Sequence, residues 1–151
     1  MSKTKKLRRP LTPREKATKK PFIPSLLSRV LEKDIELIEG KGTKKSGGEE
    51  GGHYWHIFYN GKRAGRVFIN LVHSHDSNSY PAITVEINAN MRGIGIGTIA
   101  FRKACELSKY DEIFASIRKS NTASRIAAER AGFKEIEESG TGISMVWRRK
   151  K

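Results

Sequence analysis

Met91-Arg92-Gly93-Ile94-Gly95-Ile96-Gly97-Thr98 alternates three glycines with isoleucines, directly after an apolar run from Ile83 to Ile87 and directly before a helical pattern. Glycine permits backbone angles that a Cβ forbids, and it lets a ligand come close to the main chain. A turn of this kind at a helix start presents free N–H groups to an anion, and the helix dipole adds to the attraction. A tight strand-to-helix turn without a ligand would satisfy the same residues. The flanking chain has to separate the two.

Downstream, Thr98 to Lys109 carries Ile99, Phe101, Ala104, Cys105 and Leu107 at helical spacing. Glu112 to Arg118 alternates as a strand. Asn121 to Ala131 reads as a second helix, with Gly132 in place to end it. Phe133 to Ile136 and Ile143 to Arg148 form a last pair of strands around a Ser-Gly-Thr-Gly loop. Upstream, Ala82 to Ala89 reads as a strand after a polar loop from His73 to Pro81. Before that, His53 to Tyr59 and Arg63 to Val72 flank Asn60-Gly61, a strong hairpin signal because both residues tolerate positive φ. Gly40 to Gly52 has no periodicity and reads as a flexible loop. Ser25 to Ile38 places Leu26, Leu27, Val30, Leu31, Ile35 and Ile38 on one face, which predicts a short amphipathic helix capped by Ser25. A hairpin ahead of the glycine turn predicts an α+β fold: a mixed, mainly antiparallel sheet with flanking helices.

The 151 residues suit one domain, expected over 25–151 and clearest over 53–147. The net charge of +14 sits at the ends. Residues 1–21 hold nine Lys/Arg against one Glu, and residues 148–151 add four more, which leaves +2 for the body. Residues 1–24 also hold four of the five prolines and are expected to be a disordered basic tail. Such ends attract anionic partners non-specifically, nucleic acid or ribonucleoprotein included, and they lack the aromatics of a base-stacking platform. No apolar run approaches the roughly 18 residues that span a bilayer, and no secretory signal pattern is present, so a cytoplasmic location is expected. Cys105 is the only cysteine; its helical, apolar setting predicts a buried structural thiol.

Gly95-Ile96-Gly97-Thr98-Ile99-Ala100 also fits the dinucleotide fingerprint G-x-G-x-x-A. That motif belongs in a repeating βαβ fold, whereas here a hairpin precedes it and only about fifty residues follow. About twenty residues on stand Ile117 and Arg118, not the acidic residue that holds a ribose. A phosphate loop of the Walker type fails as well, since no Lys-Ser/Thr follows the glycines.

Arg92-x-x-Gly95-x-Gly97 resembles the R/Q-x-x-G-x-G/A signature of the GNAT superfamily of acyl-CoA-dependent N-acyltransferases. Asn121-x-x-Ser124, followed by Glu129-x-x-Gly132-Phe133, matches that family's second motif at its spacing. The resemblance implies acetyl-CoA as cofactor. Its pyrophosphate would be cradled by Arg92, Gly93, Ile94, Gly95, Ile96, Gly97 and Thr98 at the helix start. It also implies that the glycine-turn strand parts from the next one, with the pantetheine arm in the gap, main-chain groups of Ile87 and Ala89 along it, Asn121 on it and Ser124 near the sulfur. A backbone N–H near Ile87 would polarise the thioester carbonyl.

The family's reaction is attack of a neutral amine on the thioester, so a base has to take a proton. Glu86 is the first candidate, and a surface carboxylate is the competing reading. His73, His75 and Asp76 are alternatives; no metal site is expected there, because no further ligands stand nearby. One departure concerns the general acid. Many members place a tyrosine before the Glu of the second motif, and here that residue is Ala128. Acetyltransferases of ribosomal proteins and protein N-termini often lack it too, and their Asn-x-x-Ser resembles this one, which makes Ser124 the candidate proton donor. The implied activity is acetyl transfer to an amine of unstated identity, a protein amine included. A non-catalytic binding or structural protein on the same fold is the alternative. The oligomeric state is not legible.

Overall fold

A computed structural model of the chain describes residues 30–76 and 78–150. The expected basic tail 1–24, the start of the expected first helix at 25–29, and Lys151 lie outside the described residues. Seven strands form one sheet in the order β1-β2-β3-β4-β5-β7-β6. They are β1 (Ile35–Glu39), β2 (His53–Tyr59), β3 (Lys62–His73), β4 (Ser79–Ile87), β5 (Glu112–Arg118), β6 (Lys134–Ser139) and β7 (Gly142–Arg148). Two α-helices, α1 (Ile96–Leu107) and α2 (Thr122–Arg130), follow β4 and β5. All neighbouring strands pair antiparallel except β4 and β5, so the expected α+β architecture is present.

The hairpin works as its turn residues demand: Asn60 at φ 49° and Gly61 at φ 82° join Tyr59 to Lys62 in register. β3 and β4 run further than the pattern suggested, because Leu71, Val72 and His73 continue the ladder onto Pro81, Tyr80 and Ser79. The expected helix over residues 25–38 is not found over its described part, residues 30–38. Ile35 to Glu39 is strand, paired with Tyr59 to Trp55 after a single 3-10 turn at Glu32–Asp34. Ile35 and Leu37 alternate with Glu36, and the exposed edge of β2 offers a ladder that local helical spacing cannot match. The loop 40–52 is also tighter than a flexible linker. The Asn70 side chain accepts from Gly47 N at 2.7 Å and donates to Lys45 O at 2.8 Å, which ties the loop to β3.

Inward-pointing residues of the strands build one core: Ile35, Trp55, Ile57, Val67, Ile69, Ile83, Ile113, Ala115, Ile117, Ile143, Met145 and Trp147. Against it α1 buries Ile96, Ile99, Ala100, Phe101, Ala104 and Cys105, and α2 buries Ala128. Each fully buried aliphatic side chain contributes roughly 1.5–3 kcal/mol of transfer free energy. Cys105 is buried, as expected, and burial pushes its thiol pKa far up, so it stays protonated. The alternate residues Tyr54, His56, Arg66, Phe68, Thr84 and Glu86 face the other side of the sheet.

Both helices end by explicit chemistry. Asn121 Oδ1 accepts from Ser124 N at 3.2 Å at the start of α2. At its end Gly132, at φ 109°, lets Phe133 N reach Ala128 O at 3.0 Å, which seats Phe133 edge-on to Phe101. The C-terminal carbonyls of α1 are collected by Arg149, whose Nη2 donates to Cys105 O, Ser108 O and Tyr110 O at 2.8–3.1 Å. Arg148 pairs with Glu112 and Arg149 with Asp111. Two of the last four basic residues are therefore part of the folded body and not of a solvated tail.

His53 stacks on Trp55 at 5.2 Å, and its Nε2 is buried without a partner. Burial, with Lys109 second, lowers its pKa below the ordinary 6.5. The unfolded chain therefore binds this proton more readily, so stability should be full above pH 6.5 and decline as pH falls through the lowered folded value. Thermal melts from pH 8 to 5 should show this decline in the native chain and a shallower one in His53→Phe, which keeps the stacking. Equal slopes would refute it.

Candidate functional site

After Ile87 the chain makes a 3-10 turn at Ala89–Met91 and then the glycine turn. Gly93 at φ 85° and Gly95 at φ 99° hold the left-handed backbone that side chains avoid, and Gly95 is the N-cap of the 12-residue α1. No side chain caps this end, so the first N–H groups of α1 are left for a ligand. A Cβ at Gly93 would meet nothing within 4 Å: the turn opens outward. At Gly97 a Cβ would touch the Ala127 methyl at 3.5 Å, so the first turn of α1 lies against α2. Ser124 stands three residues before Ala127 on the same helical face. The structure thus brings together the two motifs that are far apart in sequence.

β4 and β5 are bridged at Ala82–Phe114 alone among the described residues, and beyond that point they part, each keeping only its outer partner, β3 or β7. Asn88 N donates to Ala64 O on β3 at 2.7 Å. Successive amides along a strand point to opposite edges, so the Ile87 N–H points away from β3 and into the gap. The Ile87 carbonyl on the same side accepts from Arg92 Nε at 2.9 Å. A thioester arm with a pyrophosphate at one end fits this combination: a backbone edge along the gap and an open, uncapped helix start beyond it.

Glu86 points to the face opposite α1 and accepts from Arg66 Nε at 2.7 Å. It adjoins a cleft of about 750 Å³ lined by Arg63, Gly65, Arg66, Glu86, Asn88 and Arg92 among others. Sequence reasoning did not find Arg63, Arg66 or Asn88: a bulge turns Arg63 onto this face, and the β3–β4 register brings Arg66 beside Glu86. Ile57 faces Gly65 while Phe58 faces Arg63, which leaves Ala64 as an extra residue. Gly65 was the readable signal, since a lone glycine within a strand marks a bulge or a close approach. Here it marks both: a Cβ on Gly65 would come within 2.1 Å of Glu86 O.

The other candidates fall elsewhere. His73, bonded to Ser79 Oγ at 2.8 Å, lies at the far end of β4, roughly 25 Å from Ile87 at about 3.3 Å per residue. Asp76 is held by Ser74 and Asn78, and the Ser74 hydrogen bond lowers its pKa. Among the described residues no group of three metal-ligating side chains occurs. No described helix is long and apolar enough to cross a membrane. Tyr110 donates to Gly51 O, Tyr80 packs edge-on to Phe114, and Ala128 is fully buried, while Tyr54 lines the cleft beside Arg66 and Glu86.

A family model described as an acetyltransferase (GNAT) domain matches residues 13–134. Campylobacter jejuni N-acetyltransferase PseH, solved with acetyl coenzyme A, is 16% identical with a TM-score of 0.55, over 68% of this chain and 71% of that one. The aminoglycoside acetyltransferase AAC(6')-Ib, solved with coenzyme A and kanamycin, is 21% identical with a TM-score of 0.58, over 66% of this chain and 68% of that one. Mycobacterium smegmatis RimJ, solved with CoA-disulfide, is 22% identical with a TM-score of 0.51; 64% of this chain covers 53% of it. No curated protein matches by sequence.

If the uncapped turn holds a pyrophosphate, Gly95→Glu places bulk and negative charge in it. Isothermal titration should show acetyl-CoA affinity falling at least about tenfold, a loss of roughly 1.4 kcal/mol. Unchanged affinity in a folded variant would refute the assignment.

Proposed function

The chain belongs to the GNAT acetyltransferase family, and from that premise we propose that it is an N-acetyltransferase moving an acetyl group from acetyl-CoA to a primary amine. Acetyl-CoA is the donor used in this family and supplies the acetyl group as an activated thioester. The observation that carries the reading is the uncapped, left-handed glycine turn opening onto the gap between β4 and β5. Main-chain donors from Gly93 to Thr98 hold the pyrophosphate, with Arg92 beside them. Ile87 and Ala89 offer main-chain groups to the arm, and Asn121 keeps its Nδ2 for it while Oδ1 caps α2.

The chemistry follows from where charge develops. The Ile87 N–H faces the gap and stabilises the negative charge that builds on the carbonyl oxygen. The amine nitrogen bonds to the acetyl carbon as the C–S bond breaks. Its surplus proton passes to Glu86, directly or through one water. Arg66 holds one Glu86 oxygen and so fixes the direction of the other. Ser124, half-buried in the first turn of α2, donates a hydrogen bond to the departing sulfur, and the thiolate then takes its proton from solvent. Protein amines are among the acceptors, and the basic segment 1–21 would draw the enzyme toward anionic assemblies by a salt-sensitive attraction.

A second reading rests on one observation. Ala128 fills a fully buried position with a methyl group where a phenolic acid would otherwise act. A fold that binds the donor without turning it over would look the same at every other residue. Calorimetry with acetyl-CoA, followed by thiol release over a panel of peptides and polyamines, separates the two: binding without release on any amine favours the second.

Glu86→Gln should lower kcat by about 10²-fold or more with acetyl-CoA affinity retained, the usual contribution of a positioned base. Full activity in this variant would remove Glu86 from the mechanism.

A further inference from the structure

The bulge at Ala64 has a chemical result. In a regular strand residues three apart point to opposite faces, so Arg63 and Arg66 would be separated by the sheet. With Ala64 as the extra residue, both stand on the face opposite α1, beside Arg92 and Glu86 in the same cleft. The bulge is held from β4. Asn88 N takes Ala64 O, Asn88 Nδ2 donates to Arg63 O at 3.2 Å, and Gly65 lets the two backbones approach.

Each of the three guanidinium groups is anchored through Nε. Arg63 donates to Gly65 O at 2.8 Å, Arg66 to Glu86 at 2.7 Å, and Arg92 to Ile87 O at 2.9 Å. Anchoring at Nε fixes the plane of the fork and, at Arg63, leaves both terminal nitrogens as donors, the arrangement that recognises carboxylate and phosphate. Three cations against one carboxylate leave the cleft with a surplus of positive charge, and that carboxylate is already paired with Arg66. A polycationic acceptor meets like charges here. An acceptor with a negative group beside its amine meets the unused Arg63 fork, with Glu86 next to it to receive its proton.

We propose that this cleft is the acceptor site and that it selects amines carrying a nearby anionic group, carboxylate or phosphate. The proposal rests on the acetyltransferase reading above. Its components are separable: Arg63 recognises the anion, Arg66 positions Glu86, Glu86 takes the proton, and the glycine turn keeps the donor.

The test uses the full chain and matched probes: O-phosphoethanolamine against ethanolamine, β-alanine against its amide, and spermidine as a polycation. Acetyl-CoA titration comes first; no binding there overturns the acetyltransferase reading, and this proposal with it. Given binding, thiol release should favour at least one anionic probe over its neutral partner by about tenfold in kcat/KM, the usual effect of a charge-assisted bond. The two pairs distinguish phosphate from carboxylate. Arg63→Met, which does not touch Glu86, should erase that preference through KM while acetyl-CoA affinity stays; Arg63→Ala is the second variant if the first does not fold. Preference for spermidine or the neutral probes overturns the proposal. So does a preference that survives both substitutions, or a tenfold loss of acetyl-CoA affinity in Arg63→Met, which would assign the cleft to the donor. If no probe releases thiol, the anionic probes are titrated into the CoA-loaded protein. Heat lost in Arg63→Met supports the proposal, and no heat refutes it.

Discussion

Ala82 and Phe114 form the one bridge between β4 and β5 among the described residues, and the site depends on the strands parting there. A continuous parallel ladder would satisfy the Ile87 amide with a β5 carbonyl and close the sheet. Instead β4 keeps its partner on one side only. Its amides toward β3 are committed, and those toward β5 face an opening. At this end β4 leaves the sheet through a left-handed turn, while β5 runs on against β7 and into α2. Core packing sustains the separation: Ile96, Ile99 and Phe101 bind α1 to the sheet, and Gly97 against Ala127 brings α2 alongside. The donor half of the site is thus a by-product of how one parallel crossover is fitted into an otherwise antiparallel sheet.

The proposed acceptor cleft has a different origin. It lies on the face away from both helices, where the loop 40–52 crosses without an α-helix between β1 and β2. Tyr54 and Phe68 stack at 6.4 Å on that face, and Arg66 lies over the Phe68 ring at 5.1 Å. This aromatic floor supports the guanidinium from below while Glu86 holds it from the side, so its position is set by packing as well as charge. An exposed ion pair alone would contribute little to order.

Local chemistry explains which parts of this arrangement could be read from the chain. Asn60-Gly61, the Gly93–Gly97 turn, and the Asn121 and Gly132 ends of α2 each declare themselves within a few residues, because turns and caps need particular side chains at particular positions. β5 alternates cleanly because one of its faces is core. β1 was misread since Leu26 to Ile38 offers a plausible helical face, and its strand state comes from a partner, Trp55 to Tyr59, that lies some twenty residues away. The cleft was invisible for a related reason. Strand periodicity assigns Arg63 and Arg66 to opposite faces, and only a bulge whose carbonyls are claimed by Asn88 reverses that. Glu86 was found, but its partner Arg66 was not, because their adjacency is a matter of register between β3 and β4.

Gly65 and Asn88 also suggest how the protein could change. The donor cradle is written in the glycines at the start of α1, whereas the charge of the opposing cleft is written in a two-residue irregularity of β3. A lineage could lengthen, shorten or regularise that irregularity and exchange its arginines without touching a backbone donor of the helix start. Diversification of acceptors under a constant donor would then proceed through strand register, with each step small enough to leave the core of the sheet intact.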